Sequence, residues 1–347
     1  MSDPWAGRRV VVCCDVGPRL GVGHLLRCVA LSEEFLDRGA EVIFAADASS
    51  VPWAAEQLAR RDIATVVPPA SPSALLDLVS DLEPDVTVVD SYLLPSSFYE
   101  QARARGLRTL ALVDGEVGGR TADVYLDQNI GAETADVPVG PGEVRLAGLR
   151  FALMRDDVRA RRPESLDDST PSSPPAVLGF FGGTDALGVA PLMTRVLAES
   201  GRPFNATIVA TTEESRCAVG SVEMGPGQRV DVIPPTPDLA GLVRRADLAL
   251  SAAGTSTWEL MCLGAAAGLV CVADNQEESY ARVVASGAVA GVGRLHDLRT
   301  DHRAAVTAVR RLLDDPAWRR SLASRGWQLV DGRGRERVVF ACERLLA

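Results

Sequence analysis

Short apolar runs alternate with longer stretches of helical periodicity along almost the whole chain. Residues 10–14, 41–46, 63–67, 85–90 and 107–113 are near-continuously apolar. That pattern predicts strands buried on both faces of a parallel sheet. Between them, residues 24–37 set Leu25, Val29, Leu31 and Phe35 along one helical stripe, and residues 54–61, 74–82 and 97–105 behave similarly. Around 163–175 the pattern collapses into an acidic Pro/Ser segment that cannot form a core and reads as a linker. Beyond it the alternation resumes, with strands expected at 176–181, 204–210, 230–233, 248–251 and 268–273 and a helix at 190–199. From about residue 301 the chain reads as helical to its end. The expected architecture is α/β: two doubly wound, Rossmann-like domains, 1–162 and 176–347, facing across a cleft, with ligands at the carboxyl ends of the strands.

Composition narrows the chemistry. At 347 residues, 47% hydrophobic and 24% charged, the chain has material for two cores. A net charge of −10 supplies no basic stripe for nucleic acid. No run approaches the roughly 20 apolar residues of a membrane span, and the N-terminus carries no signal-peptide pattern. The seven cysteines form no CxxC or Cys/His cluster and read as buried free thiols, so a cytoplasmic setting without metal or cofactor is expected. All 36 basic residues are arginine, which excludes a Schiff-base lysine, a Walker lysine and a lysine general base. With three histidines, candidates for a base are few.

The segment Gly21-Val22-Gly23-His24-Leu25-Leu26-Arg27-Cys28 follows directly on the first apolar run and Asp15. A buried strand, a glycine-punctuated turn and a helix start make a place for an anion, and His24 at its mouth is placed to act as a base. Asp15 ends the strand, as a functional group or as a cap of the following loop. Tyr92, just after the fourth apolar run, is a candidate for contacting sugar or holding an attacking water, or for simple packing. Asp90 and Asp114 also end strands and could orient His24 or bind sugar hydroxyls. His296 and His302 lie in a charged stretch and read as surface residues.

A second pair of turns lies in the other half. Gly182-Gly183-Thr184-Asp185 fits a nest of backbone amides for phosphate, or an ordinary βα turn. Gly254-Thr255-Ser256 opens a helix with hydroxyls and amides converging where a diphosphate could sit, and Glu259 could accept from ribose hydroxyls. Asn275 and Gln276 could reach sugar hydroxyls from the next strand's end, or cap a helix.

Taken in order, Asp15, Gly21-x-Gly23-His24-x-x-Arg27-Cys28, Asp90-Ser91-Tyr92, Gly182-Gly183-Thr184-Asp185, Gly254–Glu259 and Asn275-Gln276-Glu277 resemble the PseG/SpsG family over nearly the whole chain. These are nucleotide-sugar hydrolases of pseudaminic acid biosynthesis and spore-coat polysaccharide proteins, with a GT-B-like fold related to MurG-type glycosyltransferases. The resemblance implies that His24 activates water against an anomeric carbon, and that Asn129 lies on the sugar side. The chain departs from the family at Cys13, where an arginine is usual, at Asp114-Gly115-Glu116, where many members have Asp-Asp, and at Asp127, which stands for an asparagine. The expected reaction is metal-independent hydrolysis of a nucleoside-diphosphate sugar, UDP-linked and amino- or deoxy-modified, at the anomeric C–O bond. The alternative is a glycosyltransferase using the same donor with an alcohol or amine acceptor. A non-catalytic sensor would require His24 to be sealed from ligand.

Overall fold

In the computed structural model, which describes residues 3–17, 22–49, 51–166 and 172–346, the chain forms two compact units. One comprises Met1–Asp156 together with Gly332–Ala347, the other Asp157–Asp331. Gly21 and linker residues 167–171 lie outside the described residues.

The first unit runs β1 (Arg9–Cys14), α1 (Gly23–Asp37), β2 (Glu41–Ala45), α2 (Pro52–Ala59), β3 (Ala64–Val66) and α3 (Pro72–Asp81). It continues through β4 (Val86–Asp90), α4 (Ser96–Ala104), β5 (Thr109–Leu112), β6 (Val124–Asp127) and β7 (Val144–Ala147). A short helix, α5 (Asp156–Arg159), spans the boundary between the units. The seven strands form one parallel sheet in the order β3-β2-β1-β4-β5-β6-β7. Val10 and Val12 of β1 join Leu25, Val29 and Phe35 of α1 in one core, while Val11 and Cys13 join Leu76, Val79 and Phe98 in another. Burial on both faces explains the unbroken apolar runs.

The second unit runs β8 (Ala176–Phe180), α6 (Val189–Glu199), β9 (Phe204–Val209), α7 (Glu213–Gly220), β10 (Gln228–Ile233) and α8 (Leu239–Arg245). Then come β11 (Leu248–Ala252), α9 (Ser256–Cys262), β12 (Ala267–Cys271), α10 (Glu277–Ala285), β13 (Ala290–Arg294), α11 (Leu295–Thr300), α12 (Arg303–Asp314) and α13 (Pro316–Leu329). Its six strands are also parallel, in the order β10-β9-β8-β11-β12-β13. In each sheet the winding direction reverses once, between β1 and β4 and between β8 and β11. Open α/β sheets bind ligands at such a reversal, beyond the carboxyl ends of the strands.

The final helix, α14 (Gly334–Cys342), departs from expectation. The chain end, expected to complete the second domain, belongs to the first unit. Buried Arg335 is the reason: it pairs with Glu33 (2.9 Å), Glu34 (3.2 Å) and Asp37 (3.3 Å) of α1 and with Asp156 (2.6 Å). Val338, Val339 and Cys342 complete the core around Val29 and Phe35. The linker expected at 163–175 is likewise partly tied down. The Trp327 indole donates to the Pro163 carbonyl at 3.1 Å, and the Ser172 amide donates to Asp247 at 3.2 Å.

Candidate active site

Four neighbouring strands of the first sheet deliver the candidate residues to one edge. β1 and β4 are in register to Cys14↔Asp90, so Asp15 and Ser91-Tyr92 leave the sheet side by side. β5 leads to Asp114, and β6 ends at Asp127 just before Asn129. Helix α1 begins at Gly23, so His24 sits in its first turn and Arg27, three residues on, shares its face.

His24 Nδ1 lies 2.6 Å from Asp90 Oδ1. Asp90 is 1% exposed, and the Arg27 guanidinium grips it from the other side, Nε on Oδ2 and Nη2 on Oδ1, both at 2.6 Å. Burial alone would raise the Asp90 carboxyl, but the Arg27 charge and hydrogen bonds, with His24, hold it below its ordinary value. Asp90 is therefore an ionised acceptor, and the hydrogen between it and the ring belongs to Nδ1. In the neutral ring Nε2 is then the basic nitrogen. Arg27 Nη2 is 3.3 Å from the same Nδ1, close enough to act by charge while its hydrogens go to carboxylates. The ring keeps 8% exposure, with Tyr92 edge-on at 4.6 Å between centroids.

Asp114 is the second anchor of Arg27, accepting from Nη1 at 2.9 Å and Nη2 at 3.1 Å. It also accepts from Asn129 Nδ2 at 2.8 Å and from the Tyr92 hydroxyl. Burial works against its ionisation, but Arg27, Tyr92 and Asn129 more than offset that and push its carboxyl well down. Desolvation and the Asp114 charge push the Tyr92 phenol up.

These contacts revise several expectations. Asp90, a candidate sugar ligand, has both oxygens committed to Arg27 and His24 and serves the ring instead. Asp114 is similarly committed, since its two oxygens take four donors, about the capacity of a carboxylate. Asp15 accepts from the Ser91 hydroxyl and the Tyr92 amide, each at 2.8 Å, so it fixes the loop carrying Tyr92 rather than presenting a reactive carboxylate. Asn129 spends its amide hydrogens on Asp114 and Asp127 (3.0 Å). Its amide oxygen takes no partner among the described residues and stays available to a hydroxyl.

Arg27 and Asp127 emerge as site residues to which the sequence assigned no chemical role. For Arg27 the signal was available in its i+3 spacing from His24. Asp127 accepts from the Gly115 and Asn129 amides, a loop contact that no spacing announces.

In the second unit the two turns lie at the ends of β8 and β11, flanking the sheet's reversal, but they differ. Gly182 adopts φ +87°, and Asp185 takes the left-handed φ of 41° that aims its carboxylate at the start of α6. There it accepts from the Val189 and Ala190 amides at 2.8 and 3.1 Å. Asp185 is thus a helix cap on α6, while the Gly182 and Gly183 amides, which it does not touch, find no acceptor among the described residues. At the other turn no side chain caps α9, and the Thr255 and Ser256 amides find no acceptor among the described residues. Glu259 is half-buried in the first turn of α9. Gln276 accepts from the Val272 amide at 3.0 Å and turns its Nε2 toward Gly254, while Asn275 stands exposed beside it.

His302 pairs with Glu199 at 2.9 Å, and His296 is exposed. Among the described residues no group of three or more His, Cys, Asp or Glu could hold a metal, and no helix is long and apolar enough to cross a membrane.

No family model matches the chain, and no curated protein matches it by sequence. Solved structures do match over nearly full length. MurG of Acinetobacter baumannii aligns at TM-score 0.72 and 16% identity, covering 97% of this chain and 99% of that one. The spinosyn rhamnosyltransferase SpnG complexed with thymidine diphosphate aligns at TM-score 0.67 and 17% identity (96% and 99%). UDP-GlcNAc 2-epimerase from Neisseria meningitidis bound to UDP-GlcNAc aligns at 0.64 and 12% identity (97% and 100%). The chain has the two-sheet α/β fold of the GT-B glycosyltransferases.

Proposed function

We propose that the chain is a glycosyltransferase-like enzyme that takes its sugar from a nucleoside-diphosphate donor, UDP-linked in the first instance, and passes it to an alcohol or amine. The observation that carries this reading is His24, held through Nδ1 on an ionised Asp90 so that Nε2 is the basic nitrogen. A base so held takes the proton of a nucleophile as that nucleophile attacks the anomeric carbon. Structures of the same fold that carry thymidine diphosphate and UDP-GlcNAc support a donor of this class. The nucleotide is assigned to the second unit, at Gly254–Glu259 and Gly182-Gly183, because the amides of Thr255, Ser256, Gly182 and Gly183 find no acceptor among the described residues. Those amides would stabilise charge on the departing diphosphate. Asn129 would accept from a sugar hydroxyl through its amide oxygen.

Hydrolysis, in which water is the nucleophile, is the second reading. The order of motifs that resembles the PseG/SpsG family favours it, and the glycosyltransferases among the structural neighbours favour transfer. The chemistry at His24 is shared. The test is to follow nucleotide release (UDP, dTDP or CMP) from UDP-, dTDP- and CMP-sugars, with and without alcohol and amine acceptors. Release that needs an acceptor supports transfer, and release without one supports hydrolysis. No release and no nucleotide binding would overturn both.

A further inference from the structure

We propose that Arg27 is a positioning residue that keeps His24 neutral and basic, acting through Asp90 and through its own charge; the proposal rests on the reading of His24 as general base. A histidine beside a buried carboxylate is ordinarily driven toward imidazolium, the form that cannot accept a proton. Here the carboxylate is already paired with a cation. Arg27 contacts both oxygens of Asp90, and its Nη2 stands 3.3 Å from the ring nitrogen that faces Asp90. A fixed cation at that distance opposes a second positive charge on the ring.

The other groups around the ring set the balance that Arg27 tips. Asp90 comes from β4 and Arg27 from α1, and the N-terminal end of α1 itself disfavours a cation in its first turn. Tyr92 meets the ring edge-on, and its phenol is pushed up and stays uncharged. Cys28 Sγ lies 3.6 Å from Asp90 Oδ2, beside Cys14, and burial pushes the Cys28 thiol up. Asp114 shares Arg27 Nη2 with this cluster and accepts from the Tyr92 hydroxyl, and Asp127 shares the Asn129 amide with it. With His24 neutral, the inner cluster of Arg27, Asp90 and Asp114 carries one net negative charge, and accepting the catalytic proton brings it to zero. Without Arg27 it would carry two negative charges, and the ring would hold its proton.

The two partners of this balance should therefore shift His24 in opposite directions. The experiment is an NMR titration of the imidazoles in the substrate-free full chain. Its three histidines give few signals, and the one lost in His24→Ala is identified directly. Arg27→Gln is expected to move the His24 midpoint up by about one pH unit or more, and Asp114→Asn to move it down. Arg27→Lys keeps the charge without the fork and should stay closer to the parent. With a turned-over substrate, the acid limb of the kcat profile should move the same way, so that Arg27→Gln loses about tenfold or more near neutrality and recovers at higher pH. A merely structural Arg27 would lower kcat equally at every pH. An unchanged or lowered midpoint in Arg27→Gln, or an unmoved one in Asp114→Asn, overturns the proposal. If Arg27→Gln does not fold, Arg27→Lys and Asp114→Asn decide it alone. If no sugar nucleotide is turned over, the titration still decides the electrostatic claim while the proposed function falls separately.

Discussion

Asp90 Oδ1 stands 2.6 Å from His24 Nδ1, and Asp90 carries no proton to offer it. The pair is therefore directional: Nδ1 donates, and Nε2 is left as the base. Direction comes from the sheet, because β4 brings Asp90 to the same edge from which the chain leaves β1 toward α1.

Removing the ring should affect chemistry more than binding. His24→Ala is expected to lower kcat by about 10²- to 10⁴-fold while nucleotide affinity, assigned to the other unit, stays within about twofold. Steady-state kinetics and calorimetric titration with UDP separate the two. A raised KM with kcat intact would mean that His24 binds rather than catalyses.

Asp90→Asn should behave as a weakened copy of His24→Ala, because Asp90 acts only through the ring and Arg27. Residues that act as one unit are non-additive. The double variant is expected to be no slower than His24→Ala alone, and full additivity of the two losses would show that Asp90 has a separate role in the reaction.

Gly254 separates a ligand requirement from a folding one. Its φ is not positive, and an added Cβ would meet only Gln276 Nε2, at an ordinary 3.8 Å. Gly254→Ala should leave the melting temperature within about 1 °C while weakening UDP binding several-fold, because a ligand must approach that backbone closely. Equal loss of stability and affinity would remove the argument for a nucleotide there.

Much of this is legible in the sequence because strands buried on both faces leave an unbroken apolar signature. The positions of His24, Asp90 and Gly254 at strand ends follow from that signature. It misses β6, where Asp123 and Asp127 bound only three apolar residues, β7, which Arg145 interrupts, and β13, whose apolar run Gly291 and Gly293 interrupt. Those glycines make room for the Tyr280 hydroxyl and for Leu298, which lie 2.8 and 2.5 Å from where a Cβ would stand. Roles are less legible than places. Asp90 and Asp114 read as carboxylates that could bind sugar hydroxyls, yet each is consumed by partners up to 87 residues away in sequence. Spacing along the chain carries no record of such pairings.

The committed carboxylates predict how the first unit responds to acid. Asp90 and Asp114 are both held below the ordinary carboxylate value, so the stability they contribute is complete above the unfolded value, near 4, and lost as pH falls toward the folded one. Asp127 has the opposite sign: burial raises it, so its contribution is complete below the unfolded value and lost as pH rises through the folded one. In the same unit burial also raises Glu33, while hydrogen bonds lower Asp3, Asp47 and Glu143. Lowered groups therefore outnumber raised ones, and the melting temperature should hold from pH 7 to about 5 and fall below about 4. Asp114→Asn should flatten that acid slope in a melting series across pH; an unchanged slope would mean that Asp114 is not held low in the folded state.

Gly334 tests whether the C-terminal helix supports the site from behind. A Cβ there would stand 2.2 Å from the Ala152 carbonyl oxygen and 2.5 Å from the Phe151 carbonyl carbon, both backbone atoms that cannot swing aside. Gly334→Ala must therefore push α14 away, at a cost of roughly 1–3 kcal/mol, typical of overpacking. The displacement pulls on Arg335, the next residue, whose guanidinium joins α14 to Glu33, Glu34 and Asp37 of α1. Helix α1 carries His24 and Arg27 at its other end, so loosening should spread along it. Hydrogen exchange is expected to quicken in residues 23–37, with little change in the strands of the second unit, and kcat should fall without any change in UDP affinity. Exchange that quickens only within α14 would show that the clamp holds the chain end and lends nothing to the site.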